Sequence, residues 1–449
     1  MAAEGIPLES AKWNALSKEN VSLLDEWNSG LIEKQLLSYM FRVNYDYNNK
    51  YLLTVSGRWD GASQLAEGNK WAFFPSAALG WRLDQEEFLK DVTWLNQLKF
   101  RLGVGVTGNS AIDPYQTKGA IVSLYYPFGS ALAPGYAASE PLIKDGAVAM
   151  ANKNLSWEKT TQYNIGLDYS VLNGRISGVL DFYTSRTTDL LMAMTIPSLN
   201  GYTNTYANVG KTSNIGVDIT LNTVNVKTRD FEWSTSINAA WQKDKIDELA
   251  NGKEDDINNN WFIGQALGVI YGYECGGLWK EEDAAEMAKF NAKGHSFQAG
   301  MVRPIDQNGD YKIDPNDDRV IIGHTRPRWT FGMTNTFTYK NFDLSVMMYG
   351  RFDYMVDTGG EWQGGRYMQR KINYYNENNK NAEYQKPIYN IGGGDPYYRI
   401  VGYKNGSFLK VRNISLGYTF PQTLIKKWNL SNLKVYVQAL SLIHISEPT

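Results

Sequence analysis

Apolar and polar residues alternate one by one along much of the chain, which is the pattern of β-strands with one apolar face. The clearest example is residues 162–185, where two alternating runs are joined by Asn173 and Gly174. These residue types tolerate the positive φ angles of a tight hairpin turn. Folding the segment on this turn predicts one apolar and one polar face. The predicted facing pairs are Val171 with Ile176, Leu167 with Leu180, Ile165 with Phe182 and, on the polar face, Ser170 with Ser177.

The same alternation predicts twelve strands in total. Apart from the hairpin they cover residues 36–46, 51–60, 72–83, 95–107, 215–226, 231–242, 330–339, 342–352, 408–420 and 433–439, with a bulge near Asn413. The connections between them are alternately short and long. The short ones lie near Asn48, Asp84, Asn173, Lys227, Lys340 and Pro421, and the long ones near residues 61–71, 108–161, 185–211, 243–328 and 353–406.

Short turns on one rim and long loops on the other are typical of β-barrels in the outer membrane. A bilayer also accounts for strands with one apolar face, because backbone groups in hydrocarbon must be paired within the protein. Strands of about 9–11 residues cross the bilayer when they are tilted. We therefore predict an all-β fold, a transmembrane antiparallel β-barrel with long extracellular loops and short periplasmic turns. No transmembrane helix is predicted, since the longest uncharged run, residues 119–139, contains prolines.

Composition agrees with a barrel and argues against other classes. The 449 residues include 29 Tyr, 14 Trp and 17 Phe, which suit strands and membrane interfaces. The 45 basic and 47 acidic residues give a formal net charge of -2, so nucleic acid is not predicted as a partner. Cys275 is the only cysteine and cannot form an intrachain disulfide. The first residues lack a signal-peptide pattern, and we expect that the start of the protein is missing.

Motifs of catalysis are weak in this chain. Residues 103–108 match GxGxxG, but they end a predicted strand and do not open a helix, so a nucleotide site is not predicted. His295, His324 and His444 have no second histidine or cysteine at ligand spacing. No hydrolase motif is present, and acidic residues are too common in the loops to single out a glycosidase pair. We predict that the protein is not an enzyme.

The most specific motif is an Asp-rich loop at residues 306–317, DQNGDYKIDPND. Its oxygen atoms have the spacing of a calcium-binding loop. The candidate calcium ligands are Asp306, Asn308, Asp310, the carbonyl of Lys312, Asp314 and Asp317. The motif departs from the pattern at Tyr311, where the sharp turn prefers glycine, and at Asp317, where glutamate is usual. The alternative is a loop that its own Asx turns close without an ion. Apart from this calcium, no cofactor is expected.

Aromatic residues of the predicted loops are candidates for cargo binding, because their rings stack on sugars and peptides. These residues are Tyr125, Tyr126, Trp261, Trp279, Trp362, Tyr397 and Tyr398. The alternative is that the rings pack against each other within the loops.

Several stretches resemble the SusC/RagA-like branch of the TonB-dependent outer-membrane transporters. They are LLSYMFRVNYDYNNKYLLTVSGRWDGAS from Leu36, WAFFPSAALGWRL from Trp71, LKFRLGVGVTGNS from Leu98, NLSWEKTTQYNIGLDYSVLNGRISGVLDFYTSRTTDLLM from Asn154, NVGKTSNIGVDITLN from Asn208, DQNGDYKIDPNDDRVIIG from Asp306 and NGSFLKVRNISLGYTFP from Asn405. Together they cover most of residues 36–440. The family's Asp-rich loop usually has glycine at the position of Tyr311.

The resemblance implies a barrel of about 22 strands with an N-terminal plug, of which this chain would hold the tenth to the twenty-first strand. It implies import of oligosaccharides or peptides across the bacterial outer membrane with energy delivered by TonB. The implied partners are outer-membrane lipid, a SusD-like surface lipoprotein over the mouth, and the TonB complex, which is reached through an N-terminal region that is missing here. The cargo and the oligomeric state are not predicted.

The chain is predicted to divide into an extracellular-loop segment at residues 1–35, part of the barrel at 36–440 and a non-native tail at 441–449. The tail, SLIHISEPT, resembles translated sequencing-adapter read-through. Two alternatives stay open: a secreted soluble β-rich glycan-binding protein or glycosidase, and a passive porin or adhesin barrel. In the soluble alternative the apolar strand faces would form an ordinary core, so their exposure separates the two classes.

Overall fold

The computed structural model describes residues 32–118, 122–128, 131–137, 150–197, 199, 204–358, 372–387 and 394–444. Its main element is one antiparallel sheet of twelve strands. The strands are β1 (Leu36–Tyr47), β2 (Tyr51–Ala62), β3 (Trp71–Arg82), β4 (Leu95–Asn109), β5 (Glu158–Val171), β6 (Ile176–Thr188), β7 (Lys211–Lys227), β8 (Phe231–Glu248), β9 (Trp329–Tyr339), β10 (Phe342–Phe352), β11 (Phe408–Thr419) and β12 (Lys434–His444).

Consecutive strands of this sheet pair with each other, so the order in the sheet is the order in the chain. All twelve predicted strands are therefore confirmed, as is the predicted alternation of short and long connections. Strands β1 and β12 are paired on one side only, so the described residues form a sheet that does not close into a barrel.

The hairpin of β5 and β6 has the predicted register. Ile165 faces Phe182, and Leu167 faces Leu180. Its turn places Asn173 at φ 57° and Gly174 at φ 76°, the left-handed region in which glycine has no steric penalty. The dipeptide thus fixes which residues share the apolar face.

Several strands run further than predicted, and β8 and β12 extend the most. β8 continues past residue 242, where the apolar alternation stops, because Lys243 still pairs with Ile215 of β7. β12 continues past residue 440, since its partner β11 offers further pairing positions, and Ile443 pairs with Val411. The first residues of the predicted tail therefore lie in the sheet, while the division of the chain into three segments stays a prediction. The predicted bulge near Asn413 is confirmed as a register shift between Val411 and Asn413.

One face of the sheet is apolar and open to its surroundings. Phe41, Val43 and Trp59 are 55%, 61% and 54% exposed. The rings of Phe41 and Phe73 lie 6.4 Å apart over Gly57, where a Cβ atom would come within 2.6 Å of both. A second sheet would bury such side chains. This exposed apolar face is therefore suited to contact with an apolar environment, as predicted.

The long connections contain short strand pairs and one helix. The pairs are Val122–Phe128 with Ala131–Ala137, Leu191–Thr195 with Asn204–Asn208, Val269–Tyr273 with Arg319–His324, Cys275–Leu278 with Val302–Pro304, and Met355–Asp357 with Tyr403–Asn405. Helix α1 (Ala284–Ala292) lies between β8 and β9, and the short α2 (Gln422–Ile425) precedes β12. No helix in the described ranges has the length and apolar character needed to span a membrane.

Candidate functional site

The two longest connections, residues 249–328 and 353–407, pack against each other at the rim with the long loops. Their described residues form two hydrophobic clusters that share Tyr273 of the first connection and Tyr397 of the second. We call this body the loop module. Its position makes it a candidate for contact with any molecule that enters from that side.

The first cluster of the loop module is built around Trp279. This side chain is fully buried, with its ring 5.6 Å from that of Phe290 and 5.4 Å from that of Phe297. The guanidinium of Arg303 lies 4.6 Å from the same ring, at the distance of a cation–π contact. The remaining buried members are Met287, Met301 and Ile313. The cluster therefore has the buried aromatic and aliphatic side chains of a small hydrophobic core.

The second cluster joins the two connections through a buried carboxylate. Asp395 is 4% exposed and accepts hydrogen bonds from the backbone N–H of Val302 at 2.6 Å and of Tyr397 at 2.9 Å. Burial raises the pKa of Asp395, although the two N–H donors oppose this shift. Ile400 and Val401 complete the cluster with Tyr384. Asp395 thus ties the second connection to a strand of the first.

The structure brings together only some of the aromatic residues predicted to bind cargo. Trp279 fills the first cluster, so the alternative of rings packing within loops describes its position. Tyr397 is half-buried beside Tyr273, with ring centroids 5.4 Å apart. Tyr398 adjoins it, whereas Trp261 is half-buried outside both clusters.

Two of the candidates lie on a separate loop and one lies outside the described residues. Tyr125 and Tyr126 belong to the strand Val122–Phe128, and nothing is described of their side chains. Trp362 falls in the segment 359–371, outside the described ranges. A cargo contact by any of the seven aromatic residues stays a prediction.

Tyr397 keeps its proton over the whole physiological pH range. Burial, the largest cause, raises its pKa to about 12, and the neighbouring Tyr273 and Asp318 act in the same direction. At neutral pH its ring therefore carries a neutral hydroxyl group that can both donate and accept a hydrogen bond.

The Asp-rich loop is closed by its own side chains. Asp306 accepts hydrogen bonds from the backbone N–H of Gly309 at 2.7 Å and of Tyr311 at 2.8 Å. Asp310 accepts one from the N–H of Lys312 at 2.8 Å. Tyr311 takes φ 63°, the conformation for which the calcium pattern prefers glycine. The loop therefore adopts the sharp turn despite its tyrosine.

The central carboxylate of this loop belongs to Asp318, which the sequence analysis did not single out. It is fully buried and accepts hydrogen bonds from the backbone N–H of Gln307 and of Asp314, both at 2.8 Å. Asp317, the predicted ligand, is exposed. Asp317 and Asp318 are adjacent in the sequence, and the fold of the backbone determines which of the two carboxylates points inward.

Calcium in this loop stays a prediction. Among the residues that the structure describes, no three or more His, Cys, Asp or Glu side chains converge as a metal site. Both carboxylate oxygen atoms of Asp306 and one of Asp310 accept backbone N–H groups. A calcium titration of the full-length gene product should give a binding signal that Asp310→Ala removes. Equal heats for the protein and the variant would reject the ion.

His295 should make the loop module sensitive to acid. Its Nε2 accepts a hydrogen bond from the backbone N–H of Ile313 at 3.0 Å, which requires the neutral ring. Burial lowers the pKa of His295, and nearby Lys312 adds to the shift, while Asp318 opposes it. Because the folded pKa lies below the unfolded value of about 6.5, this contribution to stability is present above that pH and is lost as the pH falls through the folded pKa.

We expect that trypsin cleaves the segment 289–312 faster at pH 5 than at pH 7.5, after correction for the enzyme's own pH dependence. His295→Gln should reduce this difference, and His324→Gln, which alters a histidine outside the two clusters, should leave it unchanged. The same acid sensitivity in protein with His295→Gln would refute this role.

The opposite, inner face of the sheet carries a charged group that sequence reasoning missed. Arg101 of β4 contacts Asp168 of β5 at 2.8 Å and Asp181 of β6 at 3.0 Å. Gly166 lies directly under the guanidinium, where a Cβ atom would be 2.6 Å away. Asp218 of β7 is opposite Asp181 in the register. Sequence reasoning could have identified this charged group only after the registers of these strands were known. A polar inner face is the expected lining of a lumen.

A groove of about 860 Å³ lies beside the start of β1, between the β2–β3 and β4–β5 connections. Its lining is mostly polar and includes Glu67, Lys70, Tyr115, Lys118 and Lys153. Leu65 of its lining belongs to a hydrophobic cluster with Phe74 and Trp157, whose rings meet edge to face with centroids 5.3 Å apart. A packed base with polar groups above it suits a ligand that offers hydroxyl, amide or charged groups.

The chain matches a family model described as "TonB dependent receptor-like, beta-barrel" over residues 14–438. It is 30% identical over 442 residues to TonB-dependent receptor P3 of Formosa agariphila, with 94% of this chain and 42% of the relative covered. It is 32% identical over 444 residues to TonB-dependent receptor SusC of Bacteroides thetaiotaomicron, with 92% and 40% covered. The chain thus spans less than half the length of these relatives.

The fold is similar to that of a solved structure described as the RagAB peptide transporter. The TM-score is 0.74 at 24% sequence identity, and the match covers 92% of this chain and 44% of that one. At this identity the likeness concerns the fold.

Proposed function

The chain belongs to the TonB-dependent receptor β-barrel family, whose members lie in the bacterial outer membrane, and from this we propose that it acts in the TonB-dependent import of oligosaccharides or peptides. The family consists of receptors and transporters and not of enzymes. Within the proposed transporter this chain supplies twelve strands of the wall and several long loops of the outer mouth.

The observation that carries the proposal is the single-layer sheet with one exposed apolar face. Trp59 and Phe73 are about half exposed although both are large and apolar, and Arg101 with its acidic partners lies on the other face. Lipid on one side and a polar lumen on the other would give each face a suitable environment. The soluble alternative needs protein over the apolar face, which the exposure of these residues argues against.

The proposed cargo classes are supported by the family branch and by the chemistry of the mouth. The RagAB structure is described as that of a peptide transporter, and the resemblance to SusC-like proteins implies oligosaccharides. The polar groove beside β1 could hold hydroxyl or amide groups, and Tyr397 offers a neutral hydroxyl. A SusD-like lipoprotein would cover the loop module, and TonB would act through a region outside this chain.

Import can be tested with labelled oligosaccharides and peptides in cells that express the full-length gene product. We expect uptake of at least one cargo class, and we expect this uptake to stop when TonB is deleted. Uptake that continues without TonB would favour the passive porin. Cleavage of the cargo by the purified protein would contradict the transporter proposal.

A further inference from the structure

Basic side chains gather on the apolar, outward face of the sheet, at the rim with the long loops. We call them the outward basic patch: Lys159, Arg186, Lys211, Lys243, Lys245 and Lys253. Five of them lie on β5 to β8, and Lys253 follows β8. These four strands are paired on both sides. The patch is therefore in the middle of the wall and not at one of its free edges.

The strand registers place the basic residues in neighbouring rows. Ser213 of β7 is opposite Arg186 of β6 on one side and Lys245 of β8 on the other. With about 4.8 Å between strands, the backbones of Arg186 and Lys245 are roughly 10 Å apart. The space between and above them is a groove of about 490 Å³ that is also lined by Thr161, Thr184 and Lys253 and by the carboxylates of Asp247 and Glu248.

The patch has an excess of positive charge. Two of its six cations are paired, Lys211 with Glu248 and Lys245 with Asp247. For Arg186, Lys243 and Lys253, the described part of the chain provides no ion pair within 4.0 Å. All three of these side chains are exposed. The groove itself is lined by three cations, Arg186, Lys245 and Lys253, and by the carboxylates of Asp247 and Glu248, so an anion in it would meet an excess of one positive charge.

The apolar band begins directly below the row of Arg186 and Lys245. The next outward row contains Tyr163, Ile215 and Lys243, and the row after it contains Phe182, Val217 and Trp241. In a membrane this order, from apolar residues through aromatic residues to cations, corresponds to acyl chains, interface and headgroups. The cations are thus at the level of outer-leaflet headgroups.

We propose that the outward basic patch binds a phosphate-bearing glycolipid of the outer leaflet. Its phosphate would lie in the groove between Arg186 and Lys245, within reach of Lys253, while its acyl chains would cover Phe182 and Val217. Guanidinium and ammonium groups are the usual partners of phosphate. This inference requires that the wall lie in the outer membrane, but it does not depend on the import of any cargo.

The test uses the purified full-length gene product in detergent, with diphosphoryl lipid A as the probe. Dissociation constants are measured by native mass spectrometry for the protein and for the triple variant Arg186→Gln, Lys245→Gln, Lys253→Gln. Each cation near an anionic lipid surface contributes about fivefold in affinity. We therefore expect roughly a hundredfold weaker binding by the triple variant and about fivefold weaker binding by Arg186→Gln alone.

The matched control removes three cations from the opposite rim of the same region, with Lys227→Gln, Arg229→Gln and Lys340→Gln. This variant has the same net charge as the triple variant and should bind the probe as the unchanged protein does. Lipid A without its phosphates should bind equally to all three proteins.

Equal affinity of the triple variant and the unchanged protein for the diphosphoryl probe would overturn the proposal. So would an equal loss in the control variant, or equal binding of phosphorylated and dephosphorylated lipid by the unchanged protein. Arg186→Lys with Lys245→Arg and Lys253→Arg should retain binding, which separates charge from misfolding. Import assays with the same variants are independent, because normal import with lost lipid binding would leave the proposed function intact.

Discussion

Leu180→Arg is expected to destabilise the barrel by about 2–4 kcal/mol, the cost of an arginine on the lipid face near the middle of a bilayer. Leu180 faces Leu167 on β5 and Ile219 on β7 within the apolar band. The measurement is a urea titration of the full-length gene product in phosphatidylcholine vesicles, with folded protein detected by its heat-dependent migration in gels. We expect a lower midpoint and less folded protein in the outer membrane.

The neighbouring residue supplies a matched control. Val179 precedes Leu180 and pairs with Asp168 and Thr220, so its side chain points to the inner, polar face. Val179→Arg should change the unfolding free energy by less than about 1 kcal/mol, because it meets water and carboxylates in the lumen. If Val179→Arg proved as damaging as Leu180→Arg, the assignment of the two faces would be wrong.

Trp279→Ala is expected to open the loop module and leave the sheet intact. Replacing a fully buried tryptophan by alanine costs about 3–5 kcal/mol, which is comparable with the whole stability of a small body. Trypsin should then cleave at Lys289 and Lys293 of the opened module, while the heat-dependent migration of the barrel stays unchanged. Import and lipoprotein binding should decrease with the loss of the folded mouth.

Two further variants distinguish a core role from a cargo contact. Trp279→Phe retains most of the apolar volume and should restore resistance to trypsin. Trp261→Ala, at a half-buried loop tryptophan outside the clusters, should leave trypsin resistance unchanged. An import defect in Trp279→Ala without new cleavage would instead indicate a direct contact with the cargo.

The strands could be predicted because their information is local. A period of two, interrupted by Asn173 and Gly174, is enough to set the register of β5 and β6. The end of β8 could not be predicted in this way, since Lys243 and Lys245 break the apolar pattern while their backbone groups still pair with β7. At the end of β8 the backbone pairing depends on the partner strand β7 and not on the pattern of side chains.

The loop module was beyond prediction for a different reason. The contact of Asp395 with the N–H of Val302 joins residues 93 positions apart, and no periodic pattern encodes such pairs. Trp279 therefore resembled a surface aromatic, and the buried Asp318 was missed beside the exposed Asp317. The composition of a loop suggests which groups are available, whereas their burial depends on packing between distant segments.

The shared clusters have a consequence for how the mouth opens. Tyr397 packs against Tyr273 and Phe297 of the other connection, and Asp395 would lose the N–H of Val302 and keep only that of Tyr397 if the two segments parted. Separate movement of either segment would therefore leave a buried carboxylate with half of its hydrogen bonds, so we expect the two segments to move together on β8, β9, β10 and β11.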